Sequence, residues 1–223
     1  MTRNKREVVL QVAVHVGSLV PLAWLIWDGL GGNLTVNPIQ AITARTGKAA
    51  LVLLVLSLTC TPASSLFGFR KALRWRRPLG LYAFLYASLH FATFAGLDYG
   101  LDPQLLREAI FEKRYALAGF AAGLLLVPLA ITSTRGWMRR LGKNWKRLHR
   151  LVYVAAVLVI VHYVWLVKSD TRVPWLYGGV VALLLLARTR WFKQGVARLR
   201  QHATRRPLAP VPVAPAKHEQ RPG

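Results

Sequence analysis

Six apolar stretches run along the chain, and the segments between them are short and charged. Residues 8–27 carry no charge beyond a neutral His15 and close on Trp24 and Trp27, a pair suited to a membrane interface. A polar, Gly/Asn/Pro-containing loop is expected over 28–48. The second stretch runs from 49 to about 69, with an end expected near Pro62. Residues 78–97 form the third and carry His90, and 115–134 form the fourth. The fifth, 151–167, is bracketed by Arg150 and Lys168 and holds His162. The sixth, 173–187, is short for a span and extends towards Trp191 if Arg188 and Arg190 snorkel. Uncharged runs of this length predict an all-α membrane protein with six transmembrane helices.

Composition sharpens that picture. At 54% hydrophobic, with this many long apolar runs, a chain of 223 residues is not a soluble domain. The net charge of +23 would suit a nucleic-acid binder, but the cations are confined to connections and termini, so no nucleic acid is expected. With both termini on the cytoplasmic side, inner segments hold 24 of the 31 Lys and Arg residues and the outer loops hold seven. Six of the eight acidic residues fall in the outer loops. Positive-inside sorting therefore sets both termini in the cytoplasm, and membrane lipid faces the basic surface. The first apolar run has no small-residue cleavage site and reads as a span rather than a signal peptide. A lone Cys60 offers neither a disulfide nor a Cys-pair metal site. The domain reading is a cytoplasmic N-terminus over 1–7, a membrane domain over 8–192 and a tail over 193–223. That tail is basic, then Pro-rich, and expected to be disordered. No internal repeat is evident.

Histidines carry the candidate chemistry, because an ionisable residue in hydrocarbon is costly to keep. His90 follows Arg77 by thirteen residues, and His162 follows His149 by thirteen. Spans three and five run in the same direction, so His90 and His162 lie at one depth in the outer half. Two imidazoles at one depth on neighbouring helices can clamp one haem iron, or can simply hydrogen-bond across helices. His149 lies about 20 Å further in, opposite Arg77. It holds a second haem with an unusual partner, or it is an interfacial histidine near lipid headgroups. Arg77 itself suits a haem propionate better than iron. Thirteen residues leave His149 and His162 about 140° apart on an ideal helix, so a common seam requires helix distortion. His15 is expected to pack or hydrogen-bond, and His202 and His218 to be solvated in the tail.

Several stretches together resemble a known family. They are RRPLGLYAFLYASLHFATF (76–94), TSTRGWMRRLGKNWKRLHRLVYV (132–154) and HYVWLVK (162–168), with HVGSLVPLAWLIW (15–27) and NPIQAITARTGKAAL (37–51). The chain resembles, over roughly 8–192, the MsrQ family, haem-binding membrane subunits of the bacterial methionine sulfoxide reductase system. More broadly it resembles ferric reductase-like transmembrane domains. The resemblance implies haem b, one or two per chain, and FMN. It also implies electrons drawn from the quinol pool or a cytosolic flavin reductase, and a periplasmic molybdopterin methionine sulfoxide reductase partner, MsrP-like, which does the sulfoxide chemistry. It implies a bacterial inner-membrane location, and it matches His90, His149 and His162 to haem-linked histidines. Arg77 stands where the wider ferric reductase pattern has a second histidine in the third span. No GxGxxG element marks a nicotinamide domain. Two other readings stay open: a membrane metal (ferric) reductase, and a cofactor-free cationic transporter or assembly factor.

Overall fold

The computed structural model describes residues 5–189 together with 191, 192, 194–196 and 198. Arg190 and, from the tail, residues 193, 197 and 199–223 with its two histidines lie outside the described residues, including the Pro-rich part expected to be disordered. Among the described residues the chain is all helical, without strands. Five helical segments among the described residues are long and apolar enough to cross a membrane.

Helix α1 spans Lys5–Leu30, α2 spans Pro38–Phe67, and α3 spans Ala72–Ala92 before continuing as a π-helical turn over Thr93–Asp98. The short α4 (Pro103–Glu112) precedes α5 (Arg114–Ile131). Two small helices, α6 (Arg135–Leu141) and α7 (Lys143–Leu148), lead into α8 (Leu151–Leu166), and α9 spans Arg172–Leu186. At fifteen residues α9 is the shorter sixth apolar helix, and its regular turns stop before Arg188 rather than reaching Trp191.

Capping chemistry converts several expected loops into helix. Asn37 accepts a bond from the Gln40 amide, and Pro38 supplies a preset φ at the first helical position, so α2 starts eleven residues before the expected position at Ala49. Asp102 does the same for α4, accepting from the Gln104 and Leu105 amides at 2.8 and 3.0 Å, with Pro103 first. Thr134 caps α6. Gly142, at φ +47° and ψ −118°, turns the corner between α6 and α7 in a region that side chains disfavour.

Two antiparallel hairpins dominate the packing, α2 on α3 and α5 on α8. Buried Ala118, Ala122, Ala155 and Ala156 let α5 and α8 approach closely, as small residues do where lipid removes the hydrophobic drive. Large apolar side chains such as Val12, Leu124, Val157 and Leu183 face outward, where lipid would meet them. Helix α1 buries little of itself and is tied down by a polar wedge. Beside its internal Pro21, the Tyr86 hydroxyl of α3 enters the α1 ladder. It accepts from the Leu22 amide at 3.0 Å and donates to the Ser18 carbonyl at 2.8 Å. Tyr86 is 1% exposed and Ser18 2%, so water cannot substitute.

Tyr86→Phe should therefore leave that broken turn of α1 without its bridge, at about 1–3 kcal/mol. The thermal midpoint of the detergent-purified protein should fall, with helical content retained at low temperature. An unchanged midpoint would show that α1 is held by something else.

Candidate functional site

Within the bundle the two histidine rings meet. The His90 ring, on α3, lies with its centroid 6.1 Å from that of His162, on α8, and the planes cross at 84°. Each ring is fixed from behind by a helix of its own hairpin. His90 Nδ1–H donates to the Thr43 carbonyl of α2 at 2.8 Å, and His162 Nδ1–H donates to the Tyr115 carbonyl of α5 at 2.7 Å. A carbonyl can only accept, so Nδ1 carries the proton in both rings and Nε2 keeps its lone pair.

Glycine makes these contacts possible. A Cβ at Gly47 would stand 3.0 Å from His90 Nδ1, and one at Gly119 would stand 2.6 Å from His162 Nδ1. Each glycine is four residues after the accepting carbonyl, the position whose side chain would cover that oxygen. A shift of 72 residues carries Thr43 onto Tyr115, Gly47 onto Gly119 and His90 onto His162. The two hairpins thus repeat one design, although the sequence reading expected no repeat. Only three positions need to match, and the apolar residues between them are interchangeable, so composition hides it. The recurring spacing of 47 residues between carbonyl and histidine was the available signal.

The same shift carries Arg77 onto His149, where the design changes. His149 sits at the break between α7 and α8, so the uniform helix behind the expected 140° offset is interrupted there. Its ring stacks on Trp145 with centroids 4.0 Å apart, and its Nε2 lies 3.1 Å from the Thr132 hydroxyl. Thr132 donates that hydroxyl to the Pro128 carbonyl at 2.6 Å and accepts from Trp145 Nε1–H at 2.9 Å through its own carbonyl. Thr132, Trp145 and His149 are therefore tied into one folded corner, in which Thr134 caps α6 and Gly142 turns the chain into α7. Arg77 is exposed, whereas Arg76 is half-buried and acts electrostatically on His149. His15 hydrogen-bonds the Tyr82 hydroxyl at 3.0 Å and joins neither site.

A two-imidazole set tests well against haem. Two imidazoles bound on opposite sides of one metal, at about 2 Å each, place their centroids about 6 Å apart. Among the described residues no group of three or more His, Cys, Asp or Glu converges. The pair by itself could fill only two positions around a metal, which suits a porphyrin that brings four nitrogens of its own.

Residues 46–160 match the family described as ferric reductase like transmembrane component, which defines the class. A protein of Xanthomonas euvesicatoria pv. vesicatoria, named protein-methionine-sulfoxide reductase heme-binding subunit MsrQ, is 44% identical over 96% of this chain and 100% of its own. Proteins of the same name from Xanthomonas campestris pv. campestris (strain 8004) and Rhodospirillum rubrum are 45% and 46% identical. The first aligns over 93% of this chain and 96% of its own, the second over 82% and 88%. The chain belongs to the MsrQ family. No solved structure matches it.

Gly119→Ala should push the His162 imidazole off the Tyr115 carbonyl, and Gly47→Ala should disturb His90 less, in the order of the 2.6 and 3.0 Å approaches. In nitrogen-15 spectra of histidine-labelled protein, the Nδ1-protonated signal of the affected ring should shift or divide into two tautomers. Unaltered signals in both variants would remove the glycines from the site.

Proposed function

We propose that this chain is the haem b electron-transfer subunit of a methionine sulfoxide reductase system. The observation that carries the reading is the facing pair His90 and His162, each with its Nδ1 proton held by a helix carbonyl and its Nε2 free to ligate. Second-shell bonds of that kind fix the tautomer and raise the basicity of a metal-bound imidazole. The relatives' shared name, heme-binding subunit, supports the same assignment. When bound there, haem b supplies a one-electron carrier in the membrane interior.

The rest of the proposal concerns the two ends. We take the chain as six spans with both termini cytoplasmic in a bacterial inner membrane, α9 being the sixth. The basic end, with Arg76, Arg77 and His149, then faces the electron donor. That donor is quinol or a cytosolic flavin reductase, with FMN as the flavin that the family resemblance implies. The end carrying Asp98, Asp102, Glu108 and Glu112 faces the periplasm, and its α4 segment docks the MsrP-like partner that reduces the sulfoxide. His149 is assigned a structural part at the folded corner, with its Nε2 committed to Thr132, so the reading is one haem per chain. A ferric reductase would use the same imidazole pair, and its family match covers residues 46–160. It differs in reducing soluble chelates without any partner.

Pyridine haemochrome analysis of the purified protein should give one haem b per chain, with a sharp reduced spectrum. His162→Ala and His90→Ala should each lose it, whereas His149→Ala should retain it. A fully haem-loaded His162→Ala protein would sink the ligand assignment, and two haems per wild-type chain would return His149 to iron. A colourless wild-type protein, expressed with ample haem, would favour the transporter class.

A further inference from the structure

The basic end of the bundle holds a second polar constellation. Pro62 lacks an amide proton, so the carbonyl of Leu58 in α2 loses its helical partner. Arg188, just past α9, reaches in and donates Nη2–H to that carbonyl. Its Cζ lies 4.9 Å from the centre of the Tyr153 ring on α8. This uses one face of the guanidinium. Nε and Nη1 are buried without a close hydrogen-bond partner of their own, although the Tyr153 side chain also acts on the guanidinium as a hydrogen-bonding group. Thr61 Oγ1, in the same turn of α2 as Pro62, is the other buried side-chain oxygen or nitrogen left unpaired among the described residues.

The charge is unbalanced as well. Arg76, whose backbone is held by the Ser57 hydroxyl at 2.8 Å, acts on Arg188 as a like charge. Glu7 is the only described carboxylate at this end, and Lys71 and Arg74 already hold it. A desolvated guanidinium without a counter-ion costs several kcal/mol, far more than capping one carbonyl requires. A planar fork of donors with a second positive charge acting on it suits a tetrahedral oxyanion.

We propose that the Arg188 guanidinium, with the half-buried Arg76 adding a second positive charge, forms a phosphate-binding site where α2, α8 and the end of α9 meet. The site takes the phosphate of a lipid headgroup or of a small phosphate ester that enters from the basic side. It does not depend on the haem reading, since neither His90 nor His162 takes part.

The test is a titration of the full-length protein, purified in a neutral detergent and washed free of phosphate. Thermal unfolding is followed against inorganic phosphate and, separately, against phosphatidylglycerol, with bound phosphorus counted beforehand. Wild type should be stabilised saturably by one of the two, or should retain about one phosphorus per chain that Arg188→Gln lacks. Arg188→Gln keeps a donor for the Leu58 carbonyl but loses the charge. Its half-saturating concentration should rise about tenfold or more, the size expected for one lost charge-assisted bond, with Arg188→Lys in between. A response to phosphatidylglycerol alone identifies a lipid headgroup, and a response to inorganic phosphate identifies a soluble ester. Equal responses in wild type and Arg188→Gln, or no response and no retained phosphorus in wild type, would overturn the site and leave Arg188 to buried water. If Arg188→Gln does not fold, Arg76→Gln must show the same weakening. His162→Ala should keep the wild-type response, which separates failure here from failure of the haem assignment.

Discussion

The bond from an imidazole Nδ1–H to a helix carbonyl is the interaction around which the interior is arranged. In hydrocarbon a histidine cannot leave one nitrogen to water, so its proton must be matched by an internal acceptor. A carbonyl inside a helix already accepts from the amide four residues on, and its second lone pair is usually screened by that residue's side chain. Glycine removes the screen. Gly47 and Gly119 open the carbonyls of Thr43 and Tyr115, and the rings dock there with Nε2 turned towards the other hairpin. Ring orientation thus comes from backbone, which cannot swing away as a side-chain partner could.

Repetition of this unit explains why the rings face each other. Two like hairpins, packed side by side and running the same way, present their histidines from opposite sides of the seam at one depth. At the basic end the repeat fails. Arg77 replaces a histidine, α7 breaks from α8, and His149 is captured by Trp145 and Thr132. The 72-residue repeat thus holds at the His90 and His162 level and gives way to a cationic corner at the Arg77 and His149 level. The chain therefore has a symmetric half, where two imidazoles face each other, and an asymmetric half that carries its cations.

Much of this was legible before any coordinates. Long uncharged runs can satisfy their backbone in a membrane only as helices, so the spans and the depth match of His90 with His162 followed directly. The early start of α2 and the helix at 103–112 were missed because hydropathy ignores caps, although Asn37-Pro38 and Asp102-Pro103 are written in the sequence. The glycines were missed for another reason. Glycine is common in membrane helices, and only the position of a ring 47 residues away gives Gly47 or Gly119 its meaning. Arg188 looked like a snorkelling residue, because a charge at a helix end normally turns outward. It turns inward because Pro62 frees a carbonyl there.

Proline placement also decides which helices must touch. Where a proline breaks a ladder in lipid, the freed groups have to be met by a neighbour, so each break specifies a contact that apolar packing leaves open. Pro21 lies beside the turn of α1 that Tyr86 of α3 enters, and Pro62 of α2 draws Arg188 from the end of α9. These two polar crossings fasten the outermost helices, α1 and α9, onto the α2–α3 hairpin. Within the α5–α8 hairpin, buried Ala118, Ala122, Ala155 and Ala156 allow close approach without such a crossing. The peripheral helices are thus positioned by hydrogen bonds and the central ones by shape. Substitutions at Tyr86 or Arg188 should accordingly loosen the periphery while the 6.1 Å imidazole pair stays in register.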